Sequence, residues 1–107
     1  MKFTAIAPDG TKITFASKTR MYTHAILARW TPEMKDRHVG LDSEWSLRSR
    51  IGRPDLISSA LTEAGRYNLD HTPTKDENGH ATVKNGKYVW MPLIPRCEFV
   101  VVEVTHN

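Results

Sequence analysis

The chain has 107 residues, 39% hydrophobic and 25% charged, with a formal net charge of +3. Folding would reduce about 17,700 Å² of accessible surface to roughly 6,100 Å², enough burial for one core without disulfides or metals. These numbers exclude wholesale disorder, because aliphatic and aromatic residues come in blocks. They also exclude an internal disulfide, because Cys97 is alone, and a helical membrane span, because the longest strongly apolar stretch is Phe99 to Val102.

The first ten residues break at Pro8-Asp9-Gly10, too early for a signal-peptide core, and no lipidation motif is present. The expectation is one domain spanning 1–107, in the cytoplasm.

Phe3, Ala5 and Ala7 alternate with Lys2, Thr4 and Ile6, and Ile13 and Phe15 alternate across Lys12 to Ala16. The two runs flank Pro8-Asp9-Gly10-Thr11, a strong turn signal, and so predict an N-terminal hairpin. Residues 21–30 are ambiguous: Ala, Leu and Arg favour helix, whereas Tyr, Thr, Ile and Trp favour strand. The strand reading completes a three-stranded unit with the hairpin and puts Tyr22, His24 and Trp30 on one face. Thr31-Pro32 has the form of a helix N-cap followed by Pro in the first turn, heading a short polar run.

In the segment 43–51, Trp45 and Leu47 are suited to packing, with Arg48 and Arg50 outside. Pro54-Asp55 then opens the best helix of the chain. Leu56, Ile57, Ala60, Leu61 and Ala64 form an apolar stripe, and Gly65 stops it. Residues 67–80 read as loop. Asn85-Gly86 between two alternating runs predicts a second hairpin, whereas Pro92 and Pro95 demote the next piece to an edge or bend. The Val-rich run from Cys97 to Thr105 reads as a strand buried on both faces. The fold class is therefore α+β: an antiparallel sheet of about five strands packed against one main helix at about 54–65. Core candidates are Phe3, Ile13, Phe15, Ile26, Leu56, Ile57, Leu61, Val89, Trp90, Phe99 and Val101.

The charge is asymmetric. Residues 1–66 hold 11 Lys and Arg against 7 Asp and Glu, or +4; residues 67–107 hold 4 against 5, or −1. Two Arg/aromatic clusters fall in the basic part: Arg20, Tyr22, His24, Arg29 and Trp30, then Trp45, Arg48, Arg50 and Arg53. Guanidinium forks suit phosphate or carboxylate, and aromatic rings stack on bases or anchor protein interfaces. A host protein, a nucleic acid and a second copy of the chain are the partners such a surface admits.

No metal site is expected, because no two of the five histidines stand at helix-face spacing and no second cysteine exists. No catalytic set is expected either: there is no nucleophile elbow and no glycine-rich phosphate loop. Cys97 opens a buried strand, where a cysteine acts as a small core residue. No cofactor is implied.

Pro8-Asp9-Gly10-Thr11, Ser17-Lys18-Thr19-Arg20-Met21-Tyr22-Thr23-His24-Ala25 and Gly52-Arg53-Pro54-Asp55-Leu56 resemble segments of small accessory proteins encoded by bacteriophages, particularly phages of actinobacteria. The resemblance covers about half the chain and carries no catalytic residues. It implies a phage accessory protein made in the cytoplasm of an infected bacterium. The leading expectation is a non-enzymatic protein that binds a host or phage macromolecule through the Arg/aromatic surface. Two alternatives are a nucleotide-binding protein or hydrolase using Arg20, His24 and Arg48, and a minor structural or assembly protein.

Overall fold

The computed structural model describes residues 1–107 and has a five-stranded antiparallel sheet as its body. Strands β1 (Lys2–Ile6) and β2 (Lys12–Ala16) form the predicted hairpin, with Phe3 opposite Phe15 and Ala5 opposite Ile13. The Gly10 amide closes the turn on the Ala7 carbonyl, and Gly10 takes φ 89°, a conformation costly for any side chain. Asp9 accepts from the Thr11 amide, which holds its carboxyl below the ordinary aspartate range.

Strand β3 (His24–Trp30) confirms the strand reading for this segment, but its partners differ from those expected. The long C-terminal strand, β9 (Cys97–His106), inserts between β1 and β3, giving the order β2-β1-β9-β3-β4, with β4 (Ser46–Ile51) at the far edge. An N-terminal three-stranded unit is therefore not formed. At ten residues β9 is long enough to pair with β3 along Cys97 to Glu103 and with β1 along Val104 to His106, which places it between them.

The sheet curls so that its inner face buries Phe3, Ala5, Phe15, Ala25, Leu27 and Trp45, with Val100, Val102 and Val104 of β9 between them. Phe3 and Phe15 stack at 5.3 Å, and Tyr22 meets both rings edge-on at 5.6 and 5.8 Å. The curl brings the two edge strands together: the Arg50 guanidinium of β4 lies 5.3 Å from the Phe15 ring of β2. Tyr22 thus belongs to the inner core, while His24 sits in register with Ile51, one residue out of phase with the inner-facing Ala25. Of the face expected to hold Tyr22, His24 and Trp30, the strand keeps His24 and Trp30 together, whereas Tyr22 precedes the strand and turns into the inner core.

On the outer face, a short 3₁₀ turn (Pro54–Leu56) leads into helix α2 (Ile57–Gly65), which lies against β3 and β4 above Ile26 and Ile51. The helix position matches the prediction, but its contact is glancing. Ala64 is buried and Ile57 half-buried, whereas Leu56 and Leu61 are exposed, contrary to their place among the core candidates.

The rest of the chain forms an arm. The molecule is 57 Å long and only 25 by 22 Å across, with a radius of gyration of 17.9 Å, against about 13 Å for a compact chain of this length. The arm begins where β5 (Leu69–Asp70) pairs with β8 (Ile94–Pro95). It ends in the Asn85-Gly86 hairpin of β6 (Val83–Lys84) and β7 (Lys87–Tyr88), both turn residues having positive φ as a type I′ turn requires. Backbone bonds among Thr74, Thr82 and Val89 tie its three segments together. Val89 and Trp90, predicted as core, are exposed on this arm because no second layer packs against it.

A buried cluster fixes the arm to the body. Helix α1 (Pro32–Arg37) starts at Thr31, whose hydroxyl accepts from the Met34 amide and donates to the Pro95 carbonyl at 2.9 Å. At its other end, Arg37 donates to the Pro92 carbonyl and to Asp70 Oδ2, the latter at 3.1 Å, with both Arg37 and Asp70 side chains over nine-tenths buried. The Thr72 hydroxyl also donates to Asp70, and His38 Nε2 lies 3.4 Å from its other oxygen. Burial alone would raise the Asp70 pKa. The bonds from Thr72, Arg37 and His38 outweigh that effect and hold the carboxyl below its ordinary range.

Candidate functional site

A cleft of about 470 Å³ opens at the seam between the end of α2, the end of β3 and the start of β4. Four of the nine predicted site residues line it: Arg29, Trp30, Trp45 and Arg48. Arg20, Tyr22, His24, Arg50 and Arg53 do not. Arg20 is exposed on the loop before β3, and Arg53 lies 3.6 Å from Asp55 in the turn before α2. Arg50 is occupied with Phe15, and His24 contacts Thr23. Arg20, His24 and Arg48 therefore do not share one site.

Arg48 reaches the cleft through a local irregularity. Across the β3–β4 pair, Ile26 faces Ser49 but Leu27 faces Leu47, so Arg48 has no opposite number. This is a β-bulge, and bulges re-aim the side chain they carry. Arg29 is fixed differently: its Nε donates to Glu98 at 2.9 Å across the β3–β9 pair, and its guanidinium lies 4.6 Å from the Trp45 ring centre. Trp45 is buried, yet its indole Nε1 has no acceptor. A buried donor left unpaired costs about 1–3 kcal/mol.

Tyr67, Asn68, Arg96, Cys97 and Phe99 complete the functional part of the lining and were not among the predicted site residues. Asn68 is structural: its side chain exchanges two hydrogen bonds with the Cys97 backbone, at 2.8 and 2.9 Å, as a strand neighbour would. Burial pushes the Cys97 thiol up, and the nearby Arg48 and Arg96 guanidinium groups pull it only part of the way back. The thiol is therefore neutral at physiological pH, a poor nucleophile. Arg96 had a weak sequence signal, its adjacency to Cys97; nothing local points to Tyr67.

A second hollow, about 630 Å³, lies between α1 and the root of the arm, lined by Glu33, Asp36, Arg37, Thr72 and Lys75 among others. Its charges are of mixed sign, and Arg37 there is already engaged by Asp70. The Arg/aromatic cleft is thus the better-built binding site. No group of three or more His, Cys, Asp or Glu side chains is placed to hold a metal ion. No helix is long and apolar enough to cross a membrane.

The fold and site together describe a small α+β protein with an Arg/aromatic cleft and a projecting arm. Comparison with protein-family models, with curated proteins and with solved structures found no match.

Proposed function

We propose that this chain is a non-enzymatic binding protein that captures a partner protein through the cleft at the α2–β3–β4 seam. The observation that carries the reading is the convergence of Trp30, Trp45, Arg48, Tyr67 and Arg96 from four separate stretches of sequence onto one concave surface. Arg, Trp and Tyr are the residue types that dominate protein-interface hot spots. Two features favour a protein over a nucleic acid. Asp42 and Glu44 stand on the same rim, and Glu98 neutralises Arg29, so the cleft lacks the one-signed field that tracks a phosphate backbone. The neutral Cys97 thiol supports binding over covalent catalysis. The phage-type motifs of the sequence support an accessory role, with a host or phage protein as the partner, in the bacterial cytoplasm.

Affinity capture from bacterial lysate tests this, using the wild-type chain, Arg48→Gln/Arg96→Gln, and Arg20→Gln as the control outside the cleft. The expected result is a discrete protein retained by wild type and Arg20→Gln in the presence of nuclease and lost with the cleft variant. Retention that disappears with nuclease, or that ignores the cleft substitutions, would overturn the proposal.

A further inference from the structure

The chain has eight arginines, and most are already satisfied within the fold. Arg29, Arg37, Arg53 and Arg66 each face a carboxylate, and Arg50 lies over Phe15. Arg20, Arg48 and Arg96 remain without a side-chain partner, and two of these three line the same cleft. Both share that cleft wall with Cys97. Both are exposed guanidinium forks, donors only. What they lack in common is an anionic acceptor, and a carboxylate matches the fork geometry of arginine. Trp30, Tyr67 and Phe99 supply apolar wall beside them.

We infer that the cleft recognises a short acidic segment of its partner: a carboxylate side chain held by Arg48 and Arg96, next to an apolar side chain packed on the aromatic wall. This rests on the protein-capture reading above and narrows it to a ligand chemistry. The Asp42 and Glu44 carboxylates on the rim set the limit of the motif, since a long acidic run would meet like charge there. One or two carboxylates flanking an apolar residue fit; a polyanion does not.

The probes are the capped tripeptide Glu-Phe-Glu, its isostere Gln-Phe-Gln, and a single-stranded oligothymidylate, each titrated against the intact protein by following intrinsic tryptophan fluorescence. Glu-Phe-Glu is expected to bind at least about tenfold more tightly than Gln-Phe-Gln, and Arg48→Gln/Arg96→Gln to erase that preference, as loss of charge-assisted hydrogen bonds requires. Arg20→Gln is expected to keep it. Equal binding of the two peptides, no binding of either, or tighter binding of the oligonucleotide overturns the inference. If the peptides fail while lysate capture still depends on Arg48 and Arg96, the ligand class is wrong and the protein-capture reading stands. If lysate capture fails too, both fall.

Discussion

Replacing Asp70 with Asn tests how the arm is held. The carboxylate is 8% exposed and its partner Arg37 9%, so solvent screens the pair little. Asp70→Asn leaves the Arg37 charge buried with only the Pro92 carbonyl and a neutral amide near it. Removing one member of a buried pair costs about 3–5 kcal/mol. The retained amide oxygen and the Pro92 bond place the expected loss near the lower end, about 3 kcal/mol at neutral pH. Asp55→Asn is the internal contrast, because Arg53 and Asp55 are both 70% exposed and such pairs contribute about 0–1 kcal/mol. The pH dependence has a definite sign. The folded-state pKa of Asp70 lies below its unfolded value. Its contribution is therefore complete above the ordinary aspartate pKa of about 3.9 and fades as pH falls through the lower folded value. The gap between wild type and Asp70→Asn should be widest near neutrality and close in acid. Urea unfolding at several pH values measures the gap, and amide exchange at Thr74, Thr82 and Val89 shows how much of it is opening of the arm alone. A loss within about 1 kcal/mol at pH 7, no larger than that of Asp55→Asn, would refute the view that this buried pair anchors the arm.

Four further outcomes follow from single contacts. Leu27→Ala, at a fully buried position of the inner face, should cost about 2–5 kcal/mol in urea unfolding. Thr31→Ala removes both the cap on Met34 and the bond to Pro95, and should lose about 1–2 kcal/mol by the same assay. Gly86→Ala forces a side chain onto φ 77° and should cost about 1–2 kcal/mol, read as faster amide exchange in the hairpin and not in β9. Cys97 should be alkylated by iodoacetamide more slowly in the native protein than in urea at pH 8, and Arg48→Gln should slow it further, since that guanidinium lowers the thiol pKa; faster native labelling would contradict the buried, neutral thiol.

What the sequence revealed was what local chemistry decides. Pro8-Asp9-Gly10 and Asn85-Gly86 specify their turns within a few residues, and both hairpins are present. Thr31-Pro32 caps α1 as expected, and the stripe from Ile57 to Ala64 marks α2. What escaped was non-local. Whether β3 pairs with the hairpin or with β9 depends on residues some seventy positions away, and nothing between 21 and 30 encodes it. The bulge at Arg48 arises from the misfit of two strands and leaves no mark on either alone. Val89 and Trp90 show the opposite error. Their alternation with Tyr88 and Met91 is that of a buried strand, but alternation records a face and not the presence of a layer to cover it. Asp70 looked like one more acid in a polar loop; its burial follows only once β5 meets β8 beside Arg37.

The same distinction bears on how the basic character of the chain should be understood. A +4 excess over residues 1–66 reads as an attractor for polyanions, but a distant polyanion responds to net field, screened over about 8 Å at physiological salt. In the folded chain, half of the arginines are matched by carboxylates, so the field of those four is largely cancelled where it arises. Of the four arginines without a carboxylate, two, Arg48 and Arg96, lie at the seam where α2 ends and Asn68 runs beside Cys97. That seam is also where the arm is rooted, because Asn68 accepts from the Arg96 amide and pairs with Cys97. The acidic segment proposed above, gripping Arg96, would touch the residue that joins arm to sheet, and a contact of a few ångströms there would favour a short segment of one or two carboxylates over a long charged chain.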